Sequence, residues 1–332
     1  MAFNVRIAGT DLHFACEAEQ NILDAALKAG IEMPYSCRKG VCGNCAGAVA
    51  AGELLCPPAG AVVEAGQHLF CQCLPQSDLE IVPTAWHRID PAARKIFTVK
   101  VYRNTPTSED VNVLQLRLPA GQRAKFKAGQ YLQVALPDSS RRSYSMANPP
   151  HESDTLQLHI RHVQGGQFTQ IVQQLKPGDM LQVELPYGSF ELREESVAPM
   201  LCVVGGTGFA PVKSLLDDLV KKGIKRPVTL IWGSRNLAGL YLMTAVDRWR
   251  KMLPGFTFVP AVEDAADAQS LSGFHGRVDD ALRAHSARLG GWEVYCCGAP
   301  AMVAAVKKVC VEERGLDPHH FFSDVFVPGP AA

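Results

Sequence analysis

The sequence predicts a multidomain α/β and β protein, with a small N-terminal domain, an antiparallel β-barrel and a C-terminal doubly wound parallel α/β domain. Three patterns along the 332 residues support this fold class. Closely spaced cysteines lie near the N-terminus, alternating strand patterns fill the middle, and strands alternate with helices in the last section. We expect domains at 1–84, 96–195 and 196–332, with 85–95 as a linker.

The composition is that of a globular protein. Hydrophobic residues make up 47% of the chain, charged residues 20%, and the net charge is zero. No stretch approaches the ~18 uninterrupted apolar residues of a membrane span, and the N-terminus lacks the pattern of an export signal. We therefore expect a cytoplasmic protein that binds neither nucleic acid nor membrane. Residues 1–84 carry nine acids and four bases, which favours docking of this section to a basic surface.

The first section contains two strand patterns, a helix pattern that ends at Gly30, a cysteine loop and a closing strand. The loop SCRKGVCGNC holds Cys37, Cys42 and Cys45, and Cys71 follows later. C-x4-C-x2-C with a distant fourth cysteine is the spacing of a plant-type [2Fe–2S] cluster held by four thiolates. A structural zinc site is the alternative that C-x2-C alone allows.

The fourth thiolate has two candidates, because Cys71 and Cys73 both lie in the segment LFCQCLPQSD. In plant-type ferredoxins the ligand commonly stands four residues before a proline, so Pro75 selects Cys71 and leaves Cys73 as the alternative. The chain has eleven cysteines in all. In a long chain without an export signal we expect thiolate ligands and buried thiols instead of disulfides.

The second section predicts a closed antiparallel barrel. Alternating patterns in FTVKVYR, VNVLQLRL, QYLQVAL and LQLHIRHV are typical of half-buried strands, and FTQIVQQL is its one helix candidate. Many short strands with a single helix are the pattern of such a barrel.

The barrel section contains the motifs RRSYSMANPP and HIRHVQGGQFT, which together resemble the flavin-binding signatures of the ferredoxin–NADP reductase superfamily. RRSYSMANPP has the R-x-Y-S form, which alone also occurs in ordinary strands, and HIRHVQGGQFT adds a glycine-to-helix turn. The resemblance implies FAD, with Arg142 on a phosphate, Tyr144 against the flavin, and Ser145 donating to the flavin N5 as a catalytic residue. The helix start can cradle the pyrophosphate. The predicted FAD-binding residues are Arg142, Ser143, Tyr144, Ser145, His159, Arg161, Gly165, Gly166, Gln167, Phe168 and Thr169.

The third section alternates buried strands with helices and therefore predicts a parallel doubly wound sheet. The strand PMLCVVGG opens into VVGGTGFAP, which resembles the pyridine-nucleotide loop of the same superfamily and lacks the full G-x-G-x-x-G. The alternative is a simple glycine turn. The residues that the resemblance places at the nucleotide pyrophosphate are Gly205, Gly206, Thr207 and Gly208.

Near the C-terminus, YCCGAPAMV resembles the C-G-x-x-x-M segment of the superfamily. The resemblance implies that Cys297, followed by Gly298, is a second catalytic residue beside the nicotinamide and the flavin, whereas the alternative is a pair of small core cysteines. Phe326 either shields the flavin face or packs an edge strand. After the strand PVTLIWG, the segment SRNLAGLY has no acid for a ribose hydroxyl. Arg235 can instead meet a 2′-phosphate, which favours acceptance of NADPH as well as NADH, and the alternative is a solvated arginine.

Taken together, the order of the three sections resembles the reductase components of bacterial ring-hydroxylating oxygenases, most closely those of the terephthalate dioxygenase type. SCRKGVCGNC, RSYSMANPPHESD, GGTGFAP and GRVDDALR carry this resemblance. It implies a β-grasp [2Fe–2S] ferredoxin domain and electron transfer from NADPH or NADH, through FAD and the cluster, to a terminal Rieske oxygenase acting on terephthalate or a similar aromatic acid. Alternatives are a reductase for a di-iron monooxygenase or a deoxysugar dehydratase, and a non-catalytic redox sensor.

Overall fold

The computed structural model describes residues 1–58, 63, 65–270 and 273–327. The chain divides into two compact units, Met1–Arg94 and Lys95–Ala332. The second unit contains both the predicted barrel and the predicted parallel sheet. Within the described residues, no helix has the length and apolar character needed to cross a bilayer.

The first unit is a mixed β-sheet with one helix. Its elements are β1 (Ala2–Ile7), β2 (His13–Glu17), α1 (Ile22–Lys28), β3 (Ile31–Glu32), β4 (Ala46–Ala51), β5 (Leu54–Leu55), β6 (Gln67–Leu69), β7 (Leu74–Pro75), β8 (Leu79–Pro83) and β9 (His87–Arg88). The main sheet has the order β2-β1-β8-β4-β6, in which β1 and β8 run parallel. Strand β9 lies in the segment predicted as a linker and pairs with β3, so part of that segment belongs to the first unit.

The sequence around helix α1 determines where it begins and ends. The Asn21 side-chain oxygen accepts the Asp24 backbone N–H at 2.9 Å, which caps the helix start. At the other end, Gly30 has φ +77°, and a Cβ there would lie 2.8 Å from the Ile89 carbonyl oxygen. Glycine is therefore required where the helix ends, as predicted.

The second unit begins with the barrel. Its elements are β10 (Lys95–Pro106), β11 (Val111–Arg117), β12 (Tyr131–Ala135), β13 (Arg141–Ser145), β14 (Thr155–Arg161), α2 (Gln167–Gln174) and β15 (Met180–Tyr187). The strand order is β13-β12-β15-β10-β11-β14, with antiparallel pairing throughout. A bridge between Met146 and Leu158 joins the two outer strands and closes the sheet, which confirms the predicted barrel.

The parallel sheet follows. Its elements are β16 (Met200–Gly205), α3 (Phe209–Lys222), β17 (Val228–Ser234), α4 (Met243–Met252), β18 (Phe256–Val262), α5 (Ala265–Ser270), β19 (Phe274–His275), α6 (Val278–His285), β20 (Glu293–Gly298), α7 (Pro300–Lys308) and β21 (Phe321–Val325). The order β19-β18-β17-β16-β20-β21 is parallel throughout, as predicted. The order reverses between β16 and β20, and ligands of such sheets bind outside the carboxyl ends of the strands at this switch point.

Helix α3 fastens the parallel sheet to the barrel. Lys213 Nζ donates to the Ala147 carbonyl oxygen at 3.1 Å, and Ser214 Oγ donates to the Asn148 carbonyl oxygen at 2.7 Å. Ala147 and Asn148 come directly after β13, which carries the R-x-Y-S motif. The helix therefore fixes the backbone that follows Ser145.

Candidate active site and cluster loop

The carboxyl ends of β13, β20 and β21 meet at the switch point. Ser145 Oγ donates to Asp324 Oδ2 at 3.0 Å, and both residues are buried. Cys297 lies on β20 in register with Asp324 on β21. The structure thus places the two predicted catalytic residues, Ser145 and Cys297, at one buried carboxylate.

The Cys297 thiol is held in its neutral form. Burial, and secondarily the Asp324 carboxylate, raise the pKa of Cys297 well above its ordinary range. A thiolate is the form of cysteine that acts as a nucleophile, so Cys297 is not suited to that role here. It offers instead a small, neutral and polarisable surface at the site.

Asp324 is a site residue that the sequence reasoning missed. It is the one acid in the otherwise uncharged segment FFSDV, which the structure places as strand β21. A buried carboxylate is uncommon unless it has a partner, so an acid within a core-strand pattern was the available signal. The hydrogen bond from Ser145 to Asp324 depends on the pairing of β20 with β21 and on the contact of β21 with the barrel. Neither can be predicted from the sequence pattern.

The glycine loop after β16 packs directly on the end of β20. A Cβ on Gly208 would lie 2.2 Å from the Cys297 carbonyl oxygen, and one on Gly205 would lie 2.5 Å from Met302 Sδ. The backbone contact excludes a side chain at position 208, whereas a side chain at position 205 would require the Met302 side chain to move. Gly298 also faces Met302, so Gly205, Gly298 and Met302 form one close contact. The glycines therefore serve internal packing, in addition to the access for a pyrophosphate that the sequence predicted.

The predicted flavin-phosphate residues meet at the start of helix α2. Arg142 Nη2 donates to Gln167 Oε1 at 2.6 Å, and Gln167 Nε2 donates to Asp138 Oδ2 at 3.0 Å. Gly165 has φ +74°. The N-cap of the helix is Gly166, so no N-cap side chain accepts a hydrogen bond from the first N–H groups of the helix. A guanidinium beside an uncapped helix start fits a phosphate, because both supply N–H donors and positive charge.

Three other predicted FAD-binding residues, Tyr144, Thr169 and Ser143, have different surroundings from one another. The Tyr144 ring packs on Phe168 with centroids 5.2 Å apart, and burial raises the pKa of Tyr144 above its ordinary value. Thr169 Oγ1 donates to the Val163 and Gly166 carbonyl oxygens and so stabilises the turn itself. Ser143 alternates with Arg142 and Tyr144 along β13 and its side chain is exposed.

His159 and Arg161, on β14, both face the parallel-sheet half of the second unit. His159 Nδ1 and the Tyr241 hydroxyl are 3.0 Å apart, and burial, with a smaller contribution from Lys213, lowers the pKa of His159 well below its ordinary value. The Arg161 guanidinium lies 2.6 Å from where a Gly206 Cβ would be, and Arg161 Nε pairs with Asp110 at 3.0 Å. Arg161 therefore lies against the predicted nucleotide loop while its guanidinium is paired with Asp110.

Three further predicted residues follow the carboxyl ends of strands in the parallel sheet. Arg235 is exposed directly after β17, and its carbonyl oxygen accepts the Asp264 N–H at 2.8 Å. Glu263 and Asp264 thus stand beside this corner, which sequence order did not indicate. Phe326 follows β21, and its N–H donates to the Gly298 carbonyl oxygen at 2.9 Å. Thr207 lies in the 3-10 turn Gly206–Gly208.

In the first unit, the four predicted cluster cysteines come together in hydrogen-bonded pairs. A hydrogen bond from Cys42, aided by the N–H groups of Lys39, Val41 and Cys42, lowers the pKa of Cys37 to about 5. A hydrogen bond from Cys45, aided by the Gln72 side chain and the Gly40 N–H, lowers the pKa of Cys71 to about 7. Sulfurs that receive several N–H donors match the environment of iron–sulfur ligands.

The alternative fourth ligand, Cys73, has another partner. Cys73 and Cys56 form a disulfide, and the remaining nine cysteines are free. The expectation of thiols instead of disulfides is therefore wrong for this one pair. The error arose because the sequence shows neither the pairing of β5 with β7 nor the resulting approach of Cys56 to Cys73. A sulfur bonded in this way is not a thiolate ligand.

Known proteins match each section of the chain. Residues 5–76 match the 2Fe-2S iron-sulfur cluster binding domain, 98–192 the oxidoreductase FAD-binding domain, and 201–308 the oxidoreductase NAD-binding domain. A reductase component of terephthalate 1,2-dioxygenase from Comamonas sp. is 51% identical over 99% of both chains. The chain belongs to the reductase components of oxygenase systems.

Other relatives of the reductase serve different systems. The CDP-6-deoxy-L-threo-D-glycero-4-hexulose-3-dehydrase reductase of Yersinia pseudotuberculosis is 33% identical over 99% of both chains. The crystal structure of an Amycolatopsis cytochrome P450 reductase superposes with a TM-score of 0.78 at 32% identity, covering 98% of this chain and 99% of that one. The plan of the reductase is thus common to several partner systems.

The matches establish the cofactor classes of the reductase. It is an oxidoreductase with FAD, [2Fe–2S] and NAD(P)H as its cofactors and electron donor, as predicted. The match to the 2Fe-2S domain removes the zinc alternative for the cysteine loop, and the enzyme family removes the non-catalytic redox sensor.

Proposed function

We propose that the protein takes hydride from NAD(P)H at the Ser145–Asp324–Cys297 site and delivers single electrons from its cluster to a terminal oxygenase. The observation that carries this proposal is the buried hydrogen bond from Ser145 to Asp324, next to Cys297, at the switch point of a nucleotide-binding sheet. A binding module that only held nucleotide would have no use for a serine–carboxylate pair at this position.

The roles of the side chains follow from their chemistry. FAD, when bound, accepts a hydride and gives up its two electrons one at a time, which neither the nucleotide nor the cluster does alone. Ser145 holds a proton at Oγ, and Asp324 orients that hydroxyl and keeps it polarised. Cys297, neutral and fully buried, fills the site and excludes water from the place where the nicotinamide docks.

We propose the cofactor contacts as follows. Arg142 and the start of helix α2 hold the FAD phosphates, and Tyr144 packs on the flavin. Arg161 and the loop Gly205–Gly208 hold the nucleotide pyrophosphate. Phe326 covers the flavin face until nucleotide displaces it. Cys37, Cys42, Cys45 and Cys71 hold the cluster, because their sulfurs already pair and Cys73 is bonded elsewhere.

We propose that both NADPH and NADH are accepted. Arg235, exposed after β17, supplies a cation for a 2′-phosphate, while Glu263 and Asp264 at the same corner supply acids for a ribose hydroxyl. Arg235→Ala should raise KM for NADPH and leave KM for NADH unchanged, as steady-state kinetics with each nucleotide will show. Equal changes for both nucleotides would remove Arg235 from this role.

We further propose that the partner is a Rieske dioxygenase for terephthalate or a similar aromatic acid, since the 51% identical Comamonas relative is a reductase component of terephthalate 1,2-dioxygenase. The alternative partner is a deoxysugar dehydratase or a di-iron monooxygenase. The 33% identical Yersinia relative, a deoxyhexulose dehydrase reductase, supports the first of these two. The nine free thiols favour a cytoplasmic location. The net charge of zero favours neither nucleic acid nor an anionic membrane as a partner. Functionally, the domains would be 1–84, 96–195 and 196–332.

Two measurements test this proposal. Stopped-flow mixing of the holoprotein with NADH or NADPH should bleach the flavin absorbance within milliseconds to seconds, and a lack of bleaching with both would refute hydride transfer. Turnover with purified partners then identifies the acceptor. Turnover with a Rieske dioxygenase for aromatic acids supports the proposal, whereas turnover only with a di-iron hydroxylase or a dehydratase replaces it.

A further inference from the structure

In the first unit, Cys56 and Cys73 are held opposite each other by backbone pairing. Strands β5 and β7 are antiparallel, with Leu54 opposite Pro75 and Leu55 opposite Leu74. The next pair in this register is Cys56 and Cys73, whose Cα atoms are 4.3 Å apart and whose sulfurs are bonded. The ladder does not depend on the S–S bond, so the two sulfurs stay neighbours when the bond is open.

The two sulfurs differ in access. Cys73 is 1% exposed, whereas Cys56 is only half-buried, at the outer end of the pair. His68 Nδ1 lies 3.7 Å from Cys56 Sγ, at hydrogen-bond distance for sulfur. Cys56 is therefore the sulfur that a reagent from solution reaches first, and once the disulfide is reduced the His68 imidazole stands where it can accept the thiol proton.

We propose that Cys56 and Cys73 form a reversible thiol–disulfide site whose substrates are low-molecular-weight disulfides and dithiols. In the oxidising direction, Cys56 attacks one sulfur of a disulfide such as oxidised glutathione and releases one thiol. Cys73 then attacks the Cys56 sulfur, closes the protein disulfide and releases the second thiol. The protein loses two electrons and two protons, and one disulfide is reduced to two thiols. A dithiol reductant reverses both steps.

The site is placed to act on the cluster loop, a consequence that rests on the proposed ligand Cys71. Cys73 stands two residues after Cys71, and the backbone between them is tied to helix α1: Ile22 N–H donates to the Cys73 carbonyl oxygen at 3.2 Å and Leu23 N–H to the Phe70 carbonyl oxygen at 3.0 Å. The disulfide adds a covalent tie from this segment to β5. Opening it removes that tie and leaves Cys71 on a less constrained segment.

The order of attack gives a sharp test on the full-length holoprotein. With oxidised glutathione, Cys73→Ser should carry glutathione on Cys56, because the second thiol is missing, while Cys56→Ser should carry little on the buried Cys73. Peptide mass spectrometry of both variants measures this, with Cys16→Ser, a buried thiol of the same unit, as control. Equal labelling of the two variants, or no Cys56–Cys73 peptide in oxidised wild type, overturns the proposal.

A second readout follows the cluster absorbance in the presence of an iron chelator. Wild type pretreated with dithiothreitol should lose its absorbance several-fold faster than the glutathione-oxidised form, and Cys56→Ser should be fast under both conditions. Identical rates overturn the link to the cluster. One equivalent of zinc in the reduced protein, absent from His68→Asn, would overturn the disulfide site in favour of a metal site. None of these outcomes depends on nucleotide oxidation, so they are distinguishable from failure of the proposed function.

Discussion

A buried serine hydroxyl has one proton, and in this protein the proton of Ser145 is directed at the Asp324 carboxylate. Water cannot readily replace this hydrogen bond, because both residues are almost fully covered by the protein. Removing either partner would take this hydrogen bond out of a buried site, which costs free energy in the ground state as well as in the reaction. The two side chains should therefore behave as one unit.

We expect Ser145→Ala to lower the rate of flavin reduction by NAD(P)H by about 10²-fold, as loss of an oriented hydrogen-bond donor does in other active sites. Asp324→Asn should have a similar effect, and the double variant should be little worse than either single one because the two act together. Stopped-flow reduction rates check this, with Ser286→Ala on the end of helix α6 as control. Full additivity of the two effects would contradict the coupled role.

The cluster ligands allow a second test at single residues. Cys71→Ser should lose the visible iron–sulfur absorbance, because serine is a poor substitute for a thiolate ligand. Cys73→Ser should retain the absorbance of freshly purified protein, since its sulfur is bonded to Cys56. Iron content per chain is the second measurement. Loss of iron from Cys73→Ser alone would reverse the assignment of the fourth ligand.

At the scale of elements, the loop between β16 and α3 has less room than its sequence suggests. Gly208→Ala would place a methyl group on the Cys297 backbone, so the loop and the end of β20 would have to move apart. We expect a loss of about 1–3 kcal/mol in the free energy of unfolding and at least tenfold higher KM for nucleotide. Gly290→Ala, where nothing lies within 4 Å, is the matched control and should change neither. An unchanged KM in Gly208→Ala would show that the loop can shift.

The start of β20 carries a buried ion pair. Arg226 Nη2 donates to Glu293 Oε2 at 2.8 Å, with both side chains almost fully buried, and the Tyr295 hydroxyl donates to the same oxygen. Arg226→Met should cost about 3–5 kcal/mol, because the buried carboxylate loses its hydrogen-bonded cation and retains Arg193, at the longer distance of 3.9 Å, as a charged partner. Adding Glu293→Leu should recover most of this cost. Arg250→Met, which removes the exposed pair with Asp247, should cost no more than about 1 kcal/mol. Guanidinium midpoints from tryptophan fluorescence measure this.

The same pair predicts the acid limb of stability. Burial opposes ionisation of Glu293, but hydrogen bonds from Ser196 and Arg226 and the Arg226 charge overcome it and hold the pKa of Glu293 below its ordinary 4.5. The stabilisation is complete above that value and is lost as the pH falls through the lower folded pKa. Glu293→Gln should therefore flatten the decline of the guanidinium midpoint below pH 4.5. An unchanged slope would assign the decline to other groups.

Elements with a local signal were predictable from the sequence. Helix α1 has its cap and its terminal glycine within the same ten residues, and the strands of the barrel show their own alternation. Asp324, the Cys56–Cys73 bond and strand β9 were missed or misassigned because each depends on the register of strands far apart in sequence. Residues that belong to one sequence motif could be predicted together. The residues that bond to them from a strand distant in sequence could not.

At the scale of the whole molecule, the two compact units predict how the chain can be cut. A fragment of residues 95–332 should bind FAD, oxidise NAD(P)H and reduce ferricyanide, but should not support oxygenase turnover because it lacks the cysteine loop. A cut between residues 195 and 196 should yield fragments without flavin, since it exposes His159 and Ser214 to water. Flavin content and ferricyanide reduction of the purified fragments test this. A flavin-loaded fragment 95–195 would contradict it.

The hydrogen bonds from Lys213 and Ser214 to the backbone after β13 also bear on how such a chain can be assembled during evolution. A gene rearrangement that joins at the Arg94–Lys95 boundary exchanges a whole electron-delivery cassette and leaves the hydride site as it was. A rearrangement that joins between the barrel and the parallel sheet separates the helix α3 donors from carbonyl acceptors that suit them. Lineages should therefore shuffle the iron–sulfur cassette freely and inherit the flavin and nucleotide halves as a single piece.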